Sequence, residues 1–298
     1  MTLSTTGDLV RRAAKAGQGL LAFNFVTVEH VEAIVAGAEA SRSLVVLQLS
    51  QNAVAFHGGR VRPVAAAAVE LARAAAVDVA LHLDHVQDME LLRQAADAGF
   101  SSAMFDASSL PYVENVAMTR AAADWAHDAG LWLEAELGHV GGKPNAPANA
   151  HAAGVRTDPA EAADYVRRTG VDALAVAVGS SHAMTSRSAA LDHVLIARLR
   201  DAVPVPLVLH GSSGVPDDEL RRAVAAGMVK INVGTALSIA FTGAVRDSLE
   251  RNRSVVDPRS YLAEARDAMA STVRQLISVL DGKVDDDHQQ TGSREEPS

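Results

Sequence analysis

The chain contains no cysteine, so disulfides and thiolate metal sites are excluded and any metal centre must use histidine, aspartate or glutamate. Aromatic residues make up only 4% of its 298 positions. The core must therefore be built mainly from alanine, valine and leucine, which suits helices packed closely on buried strands. No apolar stretch approaches the ~20 residues of a membrane span, and the opening MTLSTTGDLVRRAAKAGQG lacks the apolar core of a signal peptide. Basic residues are in deficit, 27 Lys and Arg against 36 Asp and Glu, for a net charge of −9. That balance argues against general nucleic-acid binding, although a few arginines and backbone amides suffice for a local anion site. A cytoplasmic protein with neither nucleic-acid nor membrane partners is expected.

What the chain does have is an alternation. Short apolar runs at 20–25, 44–49, 79–83, 102–105, 131–135, 173–178, 207–209 and 229–233 are separated by alanine-rich amphipathic stretches such as 29–40, 62–76, 89–98, 113–129, 159–169 and 216–226. Several of those stretches end in glycine just before the next run, as in AADAGF, AHDAGLW, RRTGVD and VAAGMV, a repeated helix C-cap signal. Eight strands alternating with helices predict a parallel (β/α)₈ TIM barrel over residues 1–280, with the polar, acidic residues 281–298 as a disordered tail. The competing open doubly wound sheet is weakened because no G-x-G-x-x-G follows the first strand.

In a barrel, chemistry sits where strands end and βα loops begin. Polar residues fall there on every strand: Asn24, Ser50, the pair Asp84 and His85, Asp106, Glu134 with Glu136, His182, His210, and Asn232. One such residue is ordinarily a solvated strand end. Eight together point to converging groups at one barrel mouth.

Of the eleven histidines, His30, His127 and His193 lie in helical patterns and His288 in the tail, so surface roles are expected. His57, His139 and His151 fall in loops and stay ambiguous. His85, His182 and His210 each follow a different strand. Converging, they would make a catalytic zinc site with an open fourth position; failing closure of the barrel, they are unconnected loop histidines. Glu134 and Glu136 share one strand face by period-two geometry, and two carboxylates there repel unless a cation or proton lies between them. The glycine- and hydroxyl-rich LHGSSGVP and KINVGT end the last two strands, where small-residue turns cradle a phosphate in this fold.

These same stretches, together with AFNF, LQLS, LHLDH, GFSSAMFDAS, LEAELGHVGG, TDPAEAADYVRRTGVDALAVAVGSSH and DPR, resemble the class II, metal-dependent ketose-bisphosphate aldolases. The likeness is closest to the branch that includes tagatose-bisphosphate aldolase. It runs in family order from about residue 20 to residue 280. The resemblance implies reversible cleavage of a phosphorylated ketose into dihydroxyacetone phosphate and an aldehyde. It implies a catalytic Zn2+ on His85, His182 and His210, with Asp84 as the acid/base at the C4 oxygen. Asp106 and Glu134 match a site for a second cation, divalent or monovalent. Gly179, the turn Gly211, Ser212 and Ser213, and the turn Asn232, Val233, Gly234 and Thr235 match the donor-phosphate site. Asn24 and Ser50 match substrate contacts. Arg259 matches an arginine that reaches a neighbouring subunit's substrate, which implies a homodimer or homotetramer. His82 is expected to play a supporting or structural role.

The residue types suit this chemistry. Breaking C3–C4 leaves negative charge on the donor oxygens, which calls for a Lewis acid; the C4 hydroxyl must lose a proton, which a carboxylate can accept. Four departures from the family pattern stand out. Lys143 and Pro144 occupy the stretch where a loop glutamate exchanges the donor-carbon proton. Ala183, Thr185, Ser186 and Arg187 follow His182 where relatives have glycine and a phosphate-binding lysine. Gly234 replaces an aspartate or alanine, and Val86 follows the LDH triplet. The metal ligands are intact while the surrounding shell has drifted. Two alternatives follow: an aldolase specialised to an unusual or singly phosphorylated ketose or sugar acid, and a metal-binding, non-catalytic homologue.

Overall fold

The computed structural model describes residues 3–138, 156–181 and 184–282; most of the expected tail lies outside them. Strands β1 (Leu20–Asn24), β2 (Val45–Ser50), β3 (Val79–Val86), β4 (Ser102–Phe105), β5 (Trp132–Leu137), β6 (Ala173–Val176), β7 (Leu207–Leu209) and β8 (Met228–Val233) pair in sequence order. All ladders are parallel, and β1 pairs with β8 to close the barrel. Among the described residues the helices are α1 (Thr6–Ala16), α2 (Val28–Ser41), α3 (Gln51–Phe56), α4 (Val61–Ala74), α5 (Met89–Arg93), α6 (Tyr112–Asp128), α7 (Pro159–Thr169), α8 (His193–Ala202), α9 (Asp217–Ala226), α10 (Thr235–Arg251) and α11 (Pro258–Asp281).

Residues alternate across each strand, so one set faces the helices and the other fills the barrel. Outward Phe23, Leu47, Leu49, Leu81 and Leu83 are fully buried beneath the helical ring. Inward residues are graded along the axis. At the N-terminal end Leu20, Ala22, Val46 and Ala80 meet Leu9, Val10 and Ala13 of α1, which plugs the bottom of the barrel. Burial of a side chain such as Leu9 contributes about 1.5–3 kcal/mol. Thr5 caps α1 by accepting from the Asp8 N–H, and Gly17 ends it in the left-handed conformation. Towards the C-terminal end the inward positions turn polar, and the site is built there.

Helix α11 lies against α2 and α10. Its approach to α2 depends on Gly37, where a Cβ would stand 2.7 Å from Val273. Two expectations are corrected. The single helix expected over 89–98 breaks after Arg93 and continues as a 3-10 turn over Ala96–Ala98. The Phe100 N–H reaches back to the Ala95 carbonyl, tightening the chain so that Phe100 enters the core. His30 is buried rather than on the surface: it stacks on Phe241 of α10 with ring centroids 4.6 Å apart and shares a hydrogen bond with Thr27.

Candidate active site

Asp84 and His85 are consecutive in β3, and a regular strand would send them to opposite faces. His85 instead has a φ of 51°, and the β3–β4 register shifts between Leu83 and Val86. This bulge re-aims the imidazole so that both residues line one cavity. A left-handed histidine costs about 1–2 kcal/mol, a strain that recurs at functional positions. Asp106, just past β4, holds the ring through His85 Nδ1 at 2.9 Å and is itself held by the backbone and hydroxyl of Ser108.

His210, at the end of β7, sits between the two β5 carboxylates. Its Nδ1 is 3.0 Å from Glu136 Oε2 and its Nε2 is 3.0 Å from Glu134 Oε1. The second oxygen of Glu134 accepts from Lys230 Nζ at 2.8 Å, and the same ammonium donates to Asn232 Oδ1. All four of these charged groups are buried. The repulsion expected between Glu134 and Glu136 is therefore met by the chain's own cations. Burial alone would lower the His210 pKa, but hydrogen bonds to Glu134 and Glu136 outweigh it and raise it to about 9. Burial would raise Glu134, yet Lys230 and His210 bring it down to about 2.

Asp84 is buried and accepts from Asn24 Nδ2 at 2.9 Å, while Asn24 Oδ1 accepts from Gln48 Nε2. This chain crosses three adjacent strands and aims one carboxylate oxygen. The other, Oδ1, has no hydrogen-bond partner among the described residues and faces His82 Nε2, likewise unpartnered among them, at 3.9 Å. Desolvation opposes the charge on Asp84, but His85, His82, His210 and Lys230 hold its carboxyl well below the usual range. His82 is pressed down to about 3, chiefly by burial and then by Lys230, so it is a neutral ring hydrogen-bonded through Nδ1 to Ser102.

The cavity bordered by Asn24, Asp84, His85 and Asn232 measures about 320 Å³, a size suited to a small metabolite. Its far wall is the pair of turns after β7 and β8. Gly211 takes a φ of 67°, and a Cβ there would lie 2.5 Å from the Ser181 carbonyl, so only glycine lets the two segments cross. The Ser212 hydroxyl donates to the Asn232 carbonyl, and Ser213 Oγ accepts from the Ala236 N–H, tying the turns together. Gly234 and Thr235 open α10, a 17-residue helix whose N-terminal amides and dipole favour an anion.

Of the residues singled out from sequence, Asn24, Ser50, Asp84, His85, Gly211, Ser212, Ser213, Asn232, Gly234 and Thr235 all border this cavity. Val233 is buried at the end of β8. Gly179, with φ 123°, lies against the Ala190 carbonyl and Arg156. Asp106 and Glu134 stand behind His85 and His210 respectively. Arg259 is exposed at the start of α11, paired with Asp257. His182, His139, His151, Lys143 and Pro144 lie outside the described residues. The sequence does not single out Gln48, Lys230, Asn52 or Ser181 individually; Gln48 stands in LQLS, Lys230 in KINVGT and Ser181 in the stretch ending VGSSH, while Asn52 stands in no quoted motif.

Asp84, His85 and His210 offer ligand atoms that all lie within 4.8 Å of one another. His85, held through Nδ1 by Asp106, has the arrangement usual behind a divalent cation, because the carboxylate fixes tautomer and ring orientation. His210, with both ring nitrogens on carboxylates, would give up a proton and one of those contacts to offer a nitrogen. An unpartnered carboxylate oxygen on Asp84 beside them adds a further polar group. These residues fit a metal ion, and the donor set is compatible with zinc and its neighbours.

The family model described as fructose-bisphosphate aldolase class-II matches residues 4–283. A fructose-bisphosphate aldolase from Geobacillus stearothermophilus is 38% identical over 279 residues, covering 92% of this chain and 95% of that protein. Among solved structures, the YdjI aldolase from Escherichia coli K12 superposes with a TM-score of 0.80 at 31% identity, covering 94% of this chain and 97% of that one. A fructose-bisphosphate aldolase from Campylobacter jejuni shares the fold, with a TM-score of 0.80 at 23% identity over 94% of this chain and 96% of that one.

Proposed function

This chain belongs to the class II fructose-bisphosphate aldolase family and is a carbon–carbon lyase, and we propose that it cleaves a phosphorylated ketose reversibly into dihydroxyacetone phosphate and an aldehyde, with a zinc ion held by His85, His182 and His210. The observation that carries this reading is that Asp84 and His85 border one cavity with the two turns after β7 and β8, while His210 lies within ligand distance of both. When bound, the metal supplies Lewis-acid stabilisation of charge on the donor oxygens.

The chain's own residues do the rest. Backbone amides after β7 and at the start of α10 hold the donor phosphate. Asp84 takes the C4 hydroxyl proton during cleavage and returns it during condensation, with Asn24 aiming its carboxylate. Asp106, Glu134 and Glu136 orient the imidazoles. Ser50 uses its oxygen to cap α3 by accepting from the Ala53 N–H, which leaves its hydroxyl proton for the substrate. We further infer a cytoplasmic homodimer or homotetramer with one barrel domain per chain, in which the exposed Arg259 serves a neighbouring cavity.

A singly phosphorylated ketose is the second reading, favoured because no lysine or arginine lines the cavity among the described residues. Replacing His85 or His210 by alanine tests the metal assignment. Bound zinc and cleavage activity should be lost together; one tightly bound zinc per chain in both variants would overturn it.

A further inference from the structure

Most polar side chains around the cavity are already committed within the protein. Asn24 serves Asp84 and Gln48, Ser50 caps α3 with its oxygen and keeps only its hydroxyl proton to give, and Ser213 braces the start of α10. Asn52 differs. It is exposed to the cavity, and its carboxamide makes no hydrogen bond among the described residues. It is not a helix cap, because Ser50 already fills that position.

Asn52 is also held in place. The residue before it, Gln51, accepts from the Gln87 N–H at 2.9 Å, which ties the start of α3 to the segment that follows Asp84 and His85. At the other end of α3, His57 Nε2 is 2.7 Å from the Val26 carbonyl, just beyond Asn24. Ala53 and Val54 are buried and set the rotation of the helix. A side chain on so short and doubly anchored an element reaches the cavity from a fixed direction, as a recognition group must.

Its place in the barrel says what it reads. The anion-binding turns follow β7 and β8, and Asp84 stands on β3, so the donor half of a ketose lies between them. The carbons beyond C4 then run past Asp84 towards the neighbouring end of β2, where Ser50 pairs with Asp84 in the ladder and Asn52 follows. The wall there is neutral, and a carboxamide both donates and accepts, which matches hydroxyl groups. We propose that Asn52 is a specificity-determining residue that hydrogen-bonds hydroxyl groups on the aldehyde half of the substrate, selecting hydroxylated aldehydes over their deoxy counterparts. This rests on the aldolase reading above.

The test is condensation of dihydroxyacetone phosphate with propanal, glycolaldehyde and glyceraldehyde by the zinc-loaded wild type, Asn52→Ala and Asn52→Gln, read as kcat/KM for the aldehyde. In Asn52→Ala the two hydroxylated aldehydes should lose about five- to tenfold and propanal less than about twofold, since one neutral hydrogen bond is worth that much. Zinc content and KM for dihydroxyacetone phosphate should not move, and Asn52→Gln should recover part of the loss. Equal losses for all three aldehydes, or no loss for any, overturns the role of Asn52. A wild type that condenses none of them overturns the aldolase reading itself, and this inference with it.

Discussion

Lys230 Nζ lies 2.8 Å from Glu134 Oε2, and neither side chain has any exposed surface. Breaking such a pair from one side leaves an uncompensated buried charge, which costs about 3–5 kcal/mol. Lys230→Met should therefore destabilise the metal-free protein by about that much in urea unfolding, and pairing it with Glu134→Gln should recover part of the loss. A change below about 1 kcal/mol would show that Glu134 finds enough compensation in His210 alone.

The backbone at His85 allows a cleaner separation of strain from function. His85→Ala and His85→Gly both remove the imidazole and its bond to Asp106, but only glycine accepts a φ of 51° without cost. The glycine variant should match or exceed the alanine variant in stability, by up to about 1 kcal/mol after allowing for its looser unfolded chain. Both should be inactive. A glycine variant clearly less stable than the alanine one would mean that the left-handed conformation carries no strain.

Asp84→Asn keeps the shape and the contact with Asn24 but cannot take up the C4 proton. Turnover should fall by about 10²- to 10⁴-fold while metal content stays near that of the wild type. Should zinc disappear from this variant instead, Asp84 acts as a ligand, as its place in the three-residue cluster permits, and the proton passes through another group.

Much of this arrangement is legible in the sequence. The eight runs and their glycine-ended helices carry the barrel, because buried parallel strands read as short apolar stretches; β4 and β7 fall on the expected residues. Of the strand-end polar residues, Asn24, Ser50, Asp84, His85 and Asn232 border one cavity. Contacts distant in sequence were not legible. Lys230 and Glu134 are 96 residues apart, and nothing local marks a lysine inside KINVGT as fully buried. Nor does a left-handed histidine within a strand have a sequence signature, so the common cavity of Asp84 and His85 emerges only from the bulge. Gln48 looks like an ordinary strand residue until its amide is seen supporting Asn24. Helix α3, with six residues, is too short for an amphipathic period, so nothing in the sequence marks Asn52.

His30 supplies a pH dependence. Burial lowers its pKa below the ordinary 6.5, so between the two values the unfolded chain binds more protons than the folded one. Its contribution to stability is complete above pH 6.5 and is lost as pH falls through the lower folded value. His30→Phe, which keeps the stack on Phe241, should narrow the difference in melting temperature between pH 8 and pH 5. An unchanged difference would assign the acid sensitivity to other groups.

The most direct measurement is release of dihydroxyacetone phosphate from a panel of ketose mono- and bisphosphates, assayed with chelator, without it, and after zinc is restored. At least one ketose phosphate should be cleaved, with activity abolished by the chelator and regained with zinc. Cleavage that is unaffected by complete removal of metal, or no cleavage of any member of the panel by the zinc-loaded protein, would contradict the assignment.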